Sequence, residues 1–346
     1  MNNGQIPNSS IEKPKLFISY SWTNTEHQQW ISDLVERLVQ DGVDVKLDTC
    51  HLNTKGEVEE YFSAVAKHFE SFRIACSDET KDTFDDFFIK SIEAFLPTRN
   101  KITTIFSQVS RYLDSDDASR LLRNFFEELI PYMYPPQSGH RQYRWDCDNY
   151  KFIIHELFLH LIADLLKKER FEVIASLLGS HYYVERSISQ SINPMFPFTA
   201  FWNNLESLEH RNKRLGLGMK SLQTDLLMQR LAKSSVTKKQ LIQSDFVLFL
   251  RGAFDSLANK TSYGRWYPVT LVYKEAYSDP IEIFARSQSK RYLEKMSVMF
   301  GVKTKEDFDA LCSAFNGGKM RILGGNFGPL FDLKEILGID RLSTLP

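Results

Sequence analysis

Lys15-Leu-Phe-Ile-Ser-Tyr-Ser-Trp22 is the stretch whose reading decides the fold. Leu16, Phe17 and Ile18 form a short apolar run that stops at Ser19 and Ser21, with Tyr20 and Trp22 set among the hydroxyls. A run this short, closed by turn residues, reads as a strand buried on both faces. Thr23-Asn-Thr-Glu26 fits a capping box, in which side chains satisfy the first free N–H groups of a helix. Trp30, Ile31, Leu34, Val35, Leu38 and Val39 then recur at three- and four-residue spacing. They predict an amphipathic helix that Gly42 ends as a left-handed cap. Val43, Val45 and Leu47 alternate with Asp44, Lys46 and Asp48, which predicts a second strand. Strand, helix and strand in this order make a parallel, right-handed βαβ unit.

Phe17-Ile-Ser-Tyr-Ser-Trp22, the helix with Trp30 and Leu34, and Asp41-Gly-Val-Asp-Val-Lys-Leu-Asp48 together resemble the opening of TIR domains. The resemblance is closest to the SEFIR branch of that superfamily in bacterial proteins, and it ends near Asp48. It implies a flavodoxin-like unit with Ser19, Tyr20, Ser21 and Trp22 at the carboxyl end of the first strand. Ligands of open α/β sheets bind at that edge. In NAD-cleaving TIR domains the equivalent loop lines the nucleotide pocket, and in signalling members it helps domains stack. Asp48 ends the second strand on the same edge, where it could reach a ribose or a cation. The plainer readings are a packed strand end with capping hydroxyls and an exposed, loop-opening aspartate.

Past Asp48 the pattern departs from the family. Asp48-Thr-Cys-His-Leu52 places Cys50 and His51 where SEFIR-like proteins carry Trp and Asp. Val58, Phe62, Val65, Phe69 and Phe72 then form a helical stripe. Further stripes follow at Phe84 to Phe95 (ended by Pro97), Ile102 to Val109 and Leu121 to Leu129. These are consecutive helices, not alternating strands and helices. The module, residues 15–56, therefore reads as curtailed after its second strand, behind a loose tail at 1–14. A competing reading makes Phe72-Arg-Ile-Ala-Cys-Ser77 a third strand. Asp85 or Asp86 then falls near the catalytic Glu of NAD-cleaving members, and Glu93 too late in the helix. An Asp is one methylene shorter and misses the ribose from that position, a misplacement catalysis does not tolerate. No catalytic residue is assigned.

Residues 57–346 read as a helical domain, with a division near 131–146 at the Pro-rich Pro131–Gly139. Helices are predicted over 147–168, 171–178, 202–211, 222–231, 239–257, 280–300 and 305–315. Trp266–Tyr273 is the one extended segment, because Val269, Leu271 and Tyr273 alternate. The fold class is thus mainly α: an N-terminal βαβ unit, then a multi-helix domain with one short extended stretch. Leu122-Arg-Asn-Phe-Phe, Tyr134-Pro-Pro136, Asn212-Lys-Arg-Leu215 and Gly264-Arg-Trp-Tyr-Pro268 look similar to the helical region that trails TIR/SEFIR domains in longer bacterial proteins.

The chain has 346 residues and is 42% hydrophobic, enough to bury one large core or two domains. Its formal net charge of −1 supplies no field to draw it to nucleic acid or an anionic membrane. The 4 cysteines are far apart, with no CxxC pair, which fits reduced thiols in a cytoplasmic protein. No apolar stretch reaches membrane-spanning length.

Other constellations have structural readings. His155-Glu156 and His160 miss the zincin spacing: five residues turn the second ring about 140° away on a helix. Cys50-His51 and Cys147 lack further zinc ligands. Gly317-Gly-Lys319 and Gly324-Gly-Asn-Phe-Gly328 suggest a phosphate cradle but lack the Gly-Lys-Ser/Thr that follows a strand. His210-Arg-Asn-Lys-Arg214 reads as a solvated helix end, with an acidic partner as the alternative. Arg265-Trp266-Tyr267 with Arg251 could stack on a base, against a packed aromatic beside a strand.

Two functions follow. One is a non-catalytic signalling protein of the TIR/SEFIR defence group. It needs no cofactor and acts by self-association or by pairing with other TIR-type domains, with a helical body that senses or holds a partner. The other is an NAD hydrolase, NAD being the substrate, switched on by assembly.

Overall fold

A computed structural model describes residues 14–18, 25–47, 55–72, 83–135, 143, 145–183, 194–260, 266–274, 281–320 and 332–346. The chain divides into two units, Met1–Tyr61 and Phe62–Pro346.

In the first unit, β1 (Lys15–Ile18), α1 (Thr25–Gln40) and β2 (Asp44–Leu47) form the expected βαβ arrangement. The strands are parallel, with Lys15 opposite Asp44 and Ile18 opposite Leu47. Ile31, Val35 and Val45 are buried, and Ile18, Leu38 and Val43 pack on them. Gly42 closes α1 with φ +85°, its N–H donating to the Val39 carbonyl and that of Val43 to the Leu38 carbonyl. This is a Schellman cap, which needs a residue with no Cβ penalty at the left-handed position. The apolar face is narrower than the stripe suggests. Ile31, Val35 and Leu38 line up toward β2, while Trp30 and Val39 flank that line and are exposed. Leu16 is exposed as well, so β1 is not buried on both faces as its apolar run predicts. Residues 73–82, which include most of the alternative third strand, lie outside the described residues.

The second unit begins within α2 (Lys55–Phe69) and continues through α3 (Phe84–Ala94), α4 (Leu96–Tyr112), α5 (Ser115–Leu129), α6 (Asp148–Lys167) and α7 (Phe171–Gly179). A short antiparallel pair follows, β3 (His181–Tyr183) with β4 (Met195–Pro197). Then come α8 (Glu206–Arg214), α9 (Leu222–Arg230), α10 (Lys238–Ala258), α11 (Glu282–Arg286), α12 (Lys290–Ser297), α13 (Lys305–Asn316) and α14 (Leu333–Leu337).

The core is built on α6, which is buried at every residue except Lys151 and Lys167. A helix apolar on all sides belongs in the middle of a bundle, and α3, α4, α7 and α10 pack around this one. Phenylalanines fill the gaps: the Phe126 ring lies 5.1 Å from Phe158, edge to face, and 5.3 Å from Phe201. Such pairs add roughly 1 kcal/mol each beyond their buried area. At its start α6 holds the end of α2. Tyr150 Oη donates to the Phe69 carbonyl at 2.6 Å, and Asn149 Nδ2 to that of Phe72 at 3.0 Å.

Four expectations need correction. Pro97 does not end a helix; it sits in the first turn of α4, where a missing N–H costs nothing. The helix expected over 280–300 is broken into α11 and α12. The chain end takes the backbone groups at the break: Ser343 N–H donates to Ser287, Leu345 N–H to Gln288, and Lys290 N–H to Leu345. Trp266–Tyr273 is not extended. Val269–Tyr273 is a 3-10 turn, and the short strands lie instead at β3 and β4. The cause is Asp245 on α10, fully buried, whose carboxylate accepts from Trp266 Nε1 at 2.7 Å and from both the N–H and Oγ1 of Thr270 at 2.8 Å. Two side chains four residues apart drawn to one carboxylate force a turn, which apolar alternation does not reveal. Likewise the helix expected from Trp202 starts at Glu206, where Asp148 Oδ2 accepts the Ser207 N–H at 2.9 Å.

Asp245→Asn places an amide NH2 against N–H and O–H donors and leaves a buried donor without an acceptor. The urea midpoint of the helical unit is expected to fall by the equivalent of about 1–3 kcal/mol. An unchanged midpoint contradicts the anchoring role.

Candidate functional site

The residues singled out at the first sheet edge, Ser19, Tyr20, Ser21, Trp22 and Asp48, lie outside the described residues, as do Cys50 and His51. What the fold supplies there is the parallel pairing that closes with Ile18 opposite Leu47.

Asp85 and Asp86, weighed as substitutes for a catalytic Glu, are described fully. Asp85 is buried in the first turn of α3, beside the Phe84 ring that stacks on Trp145 at 4.6 Å. Arg214 grips it through Nε at 3.1 Å and Nη2 at 2.7 Å, the bidentate geometry that guanidinium and carboxylate share. Arg211 Nη1 reaches Asp85 at 3.2 Å and also bonds Asp86, and Arg214 Nη2 lies 2.9 Å from Asp86. The Arg211 hydrogen bond holds the Asp86 carboxyl below the ordinary carboxylate range. His210 Nδ1 stands 3.4 Å from Asp85. The basic run 210–214, read as a solvated helix end, therefore has an acidic partner inside its own chain. Asp85, buried and engaged through both oxygens, presents no face to a substrate hydroxyl, whereas the arginine contacts to Asp86 all fall on Oδ1.

His155, Glu156 and His160 lie inside the bundle. Glu156 is bidentate to Arg230, Nε and Nη2 each at 2.8 Å, with Arg99 Nε 3.6 Å away. Arg230 also donates to the Ile92 carbonyl at 3.0 Å, and Arg99 to the Arg230 carbonyl at 2.7 Å. Burial pushes the Glu156 carboxyl up, but the Arg230 hydrogen bonds and charge reverse this and leave it below its ordinary value. Burial pushes both histidines down to about 3, so each is neutral. His155 Nδ1 takes a hydrogen bond from Gln223 at 2.8 Å, and His160 Nδ1 lies 3.3 Å from Ser234 Oγ. This is a structural network, and among the described residues no group of three His, Cys, Asp or Glu could hold a metal.

The remaining candidates resolve in similar ways. Trp266 is buried against His155 and Phe198, while Arg251 pairs with Asp255 at 2.9 Å and donates to the Met299 carbonyl. Trp266 is not available to stack on a base; Tyr267 lines one cleft and Arg251 another, and Arg265 lies outside the described residues. Gly318, with φ +68°, closes α13 as Lys319 N–H donates to the Ala314 carbonyl, so Gly317–Lys319 is a helix cap. The segment 324–328 lies outside the described residues. Cys312 is a buried free thiol. The sequence reading passed over Asp245, Gln223, Arg99 and Arg230. Their signal was present: a charged or amide residue set into an otherwise apolar helix must bring a partner with it.

Residues 14–131 match the family model of the SEFIR domain. No curated protein and no solved structure matches the chain. The match runs past Asp48, where the motif likeness stops, and takes in α2 to α5. Among the described residues no helix is long and apolar enough to cross a membrane.

The buried titratable groups set a pH dependence. His155 and His160 titrate near 6.5 when unfolded and near 3 when folded, so their contribution is complete above pH 6.5 and drains away as pH falls toward 3. Asp245, pushed up by burial from 3.8 to about 6, acts oppositely: its contribution is complete below 3.8 and is lost as pH rises through 6. Two groups displaced over the wider span outweigh one. The urea midpoint of the helical signal is therefore expected to fall steadily from pH 7 to pH 4, starting above pH 5.5. A midpoint that holds or rises over that range contradicts the buried neutral histidines.

Proposed function

We propose that the chain, whose residues 14–131 carry a domain of the TIR/SEFIR group, works as a cytoplasmic signalling protein through association of that TIR-like signalling domain with another of its kind. The partner is a second copy or a different protein bearing such a domain, and the helical unit senses a signal or holds a partner. Bacterial defence is the setting that this lineage suggests. The observation that carries the reading is the SEFIR match itself. The burial of Asp85 and its clamping by Arg211 and Arg214 support a role without NAD cleavage, since Asp85 is one of the two acids nearest the position of the catalytic Glu in NAD-cleaving relatives.

The test joins two measurements on the full chain. Sedimentation over a concentration series is expected to show self-association, or association with a second SEFIR domain, weakened by Trp22→Ala. Incubation with NAD at the associating concentration is expected to release no nicotinamide above the blank. Nicotinamide release abolished by Ser19→Ala establishes the NAD hydrolase instead, and a single-chain mass in every mixture overturns the association reading.

A further inference from the structure

We propose that the cleft between α8, α9 and the 266–273 turn binds a nucleoside phosphate. It encloses about 540 Å³, within the size range of small-molecule sites. It lies wholly in the second unit and outside the SEFIR-matched residues, so the inference is independent of the association reading.

The walls divide by chemistry. Val269 and Gln223 are buried and form the floor, and Trp202 and Tyr267 supply aromatic surface. Lys213 and Lys220 are exposed at the mouth, with Glu209 beside them. Gln223 is 8% exposed, yet only one end of its amide is engaged. Nε2 donates to His155 Nδ1 at 2.8 Å, whereas Oε1 accepts nothing among the described residues. A base amino or imino group entering the cleft can donate to that oxygen. Among the described residues neither lysine has a carboxylate partner. The first turn of α9 lies at the same mouth. Its cap, Ser221 Oγ, takes the Thr224 N–H at 3.2 Å, while the Leu222 and Gln223 amides have no acceptor within the helix. Two ammonium groups and two free amides favour a phosphate. Glu209, repulsive to a phosphate, is suited to accept from sugar hydroxyls.

The cleft is also held in shape. Thr224 Oγ1 donates to the Val269 carbonyl at 2.8 Å, joining α9 to the turn that Asp245 anchors. Asn212 bonds Met219 in both directions, at 2.7 Å and 3.1 Å, which fixes the loop carrying Lys220. Gly216 and Gly218, at φ +60° and +65°, permit that loop to turn. A preformed site spends little of its binding energy on ordering.

The experiment is calorimetry on the full chain with ADP, GDP, CDP and UDP, and with the matching nucleosides and inorganic phosphate as comparators. At least one diphosphate is expected to bind below about 100 μM, tenfold or more tighter than its nucleoside and than phosphate. The double variant Lys213→Ala/Lys220→Ala, altered only at exposed positions, is expected to lose at least tenfold in affinity with an unchanged melting temperature. Ser19→Ala is expected to bind as the parent does. The proposal is overturned by the absence of any diphosphate binding below 1 mM, by phosphate or nucleoside binding as tightly as the diphosphate, or by binding that the double variant leaves intact.

Discussion

A helix buried on every side cannot leave a charge unpaired, and α6 carries Glu156 at its middle. Placing a lone carboxylate there would cost several kcal/mol. The solution draws in two arginines from elsewhere in the chain: Arg99 on α4 and Arg230 at the end of α9. A buried ion pair of this kind adds little net stability over a well-packed apolar core. Its consequence is positional. Glu156 is satisfied only when α4, α6 and α9 meet in one register, and Arg230 extends the constraint to α3 through the Ile92 carbonyl. The same helix caps α8 through Asp148 and holds the end of α2 through Tyr150 and Asn149. These contacts tie α2, α3, α4, α8 and α9 to α6.

This arrangement bears on the signalling domain. The SEFIR match extends to residue 131, and its later part, α3 to α5 with the end of α2, forms the walls of the bundle around α6. Phe62 and Phe125 stack at 4.2 Å, and Phe126 meets Phe158 of α6. Sequence kinship and structural division therefore fall at different places along the chain. Helices that share a family with the βαβ unit share a core with the helical body. The packing of the α3 to α5 helices therefore depends on the same core that holds the rest of the helical unit.

Much of this was legible in the residues. The βαβ unit followed from the Leu16–Ile18 run, the Ile31–Val35–Leu38 line and Gly42, because hydrophobic period and cap chemistry are local signals. Most helices of the body followed from their stripes in the same way. What failed depended on partners distant in sequence. Asp245 turns 266–273 into a 3-10 segment from another helix, and the chain end at 343–345 breaks the helix expected over 280–300. Local alternation carries no trace of either contact. The basic run at 210–214 gave its charge but not its partner, which lies on α3. The sheet-edge residues Ser19 to Trp22 and Asp48 were reached by family likeness alone.

Native-state hydrogen exchange on the full chain tests the central claim that α3 to α5 belong to the core organised by α6. Their amides are predicted to be protected to the same degree as those of α6 and α10, and to lose protection together with them as denaturant is raised. Exchange of α3 to α5 in step with β1, α1 and β2, while α6 and α10 remain protected, would contradict it.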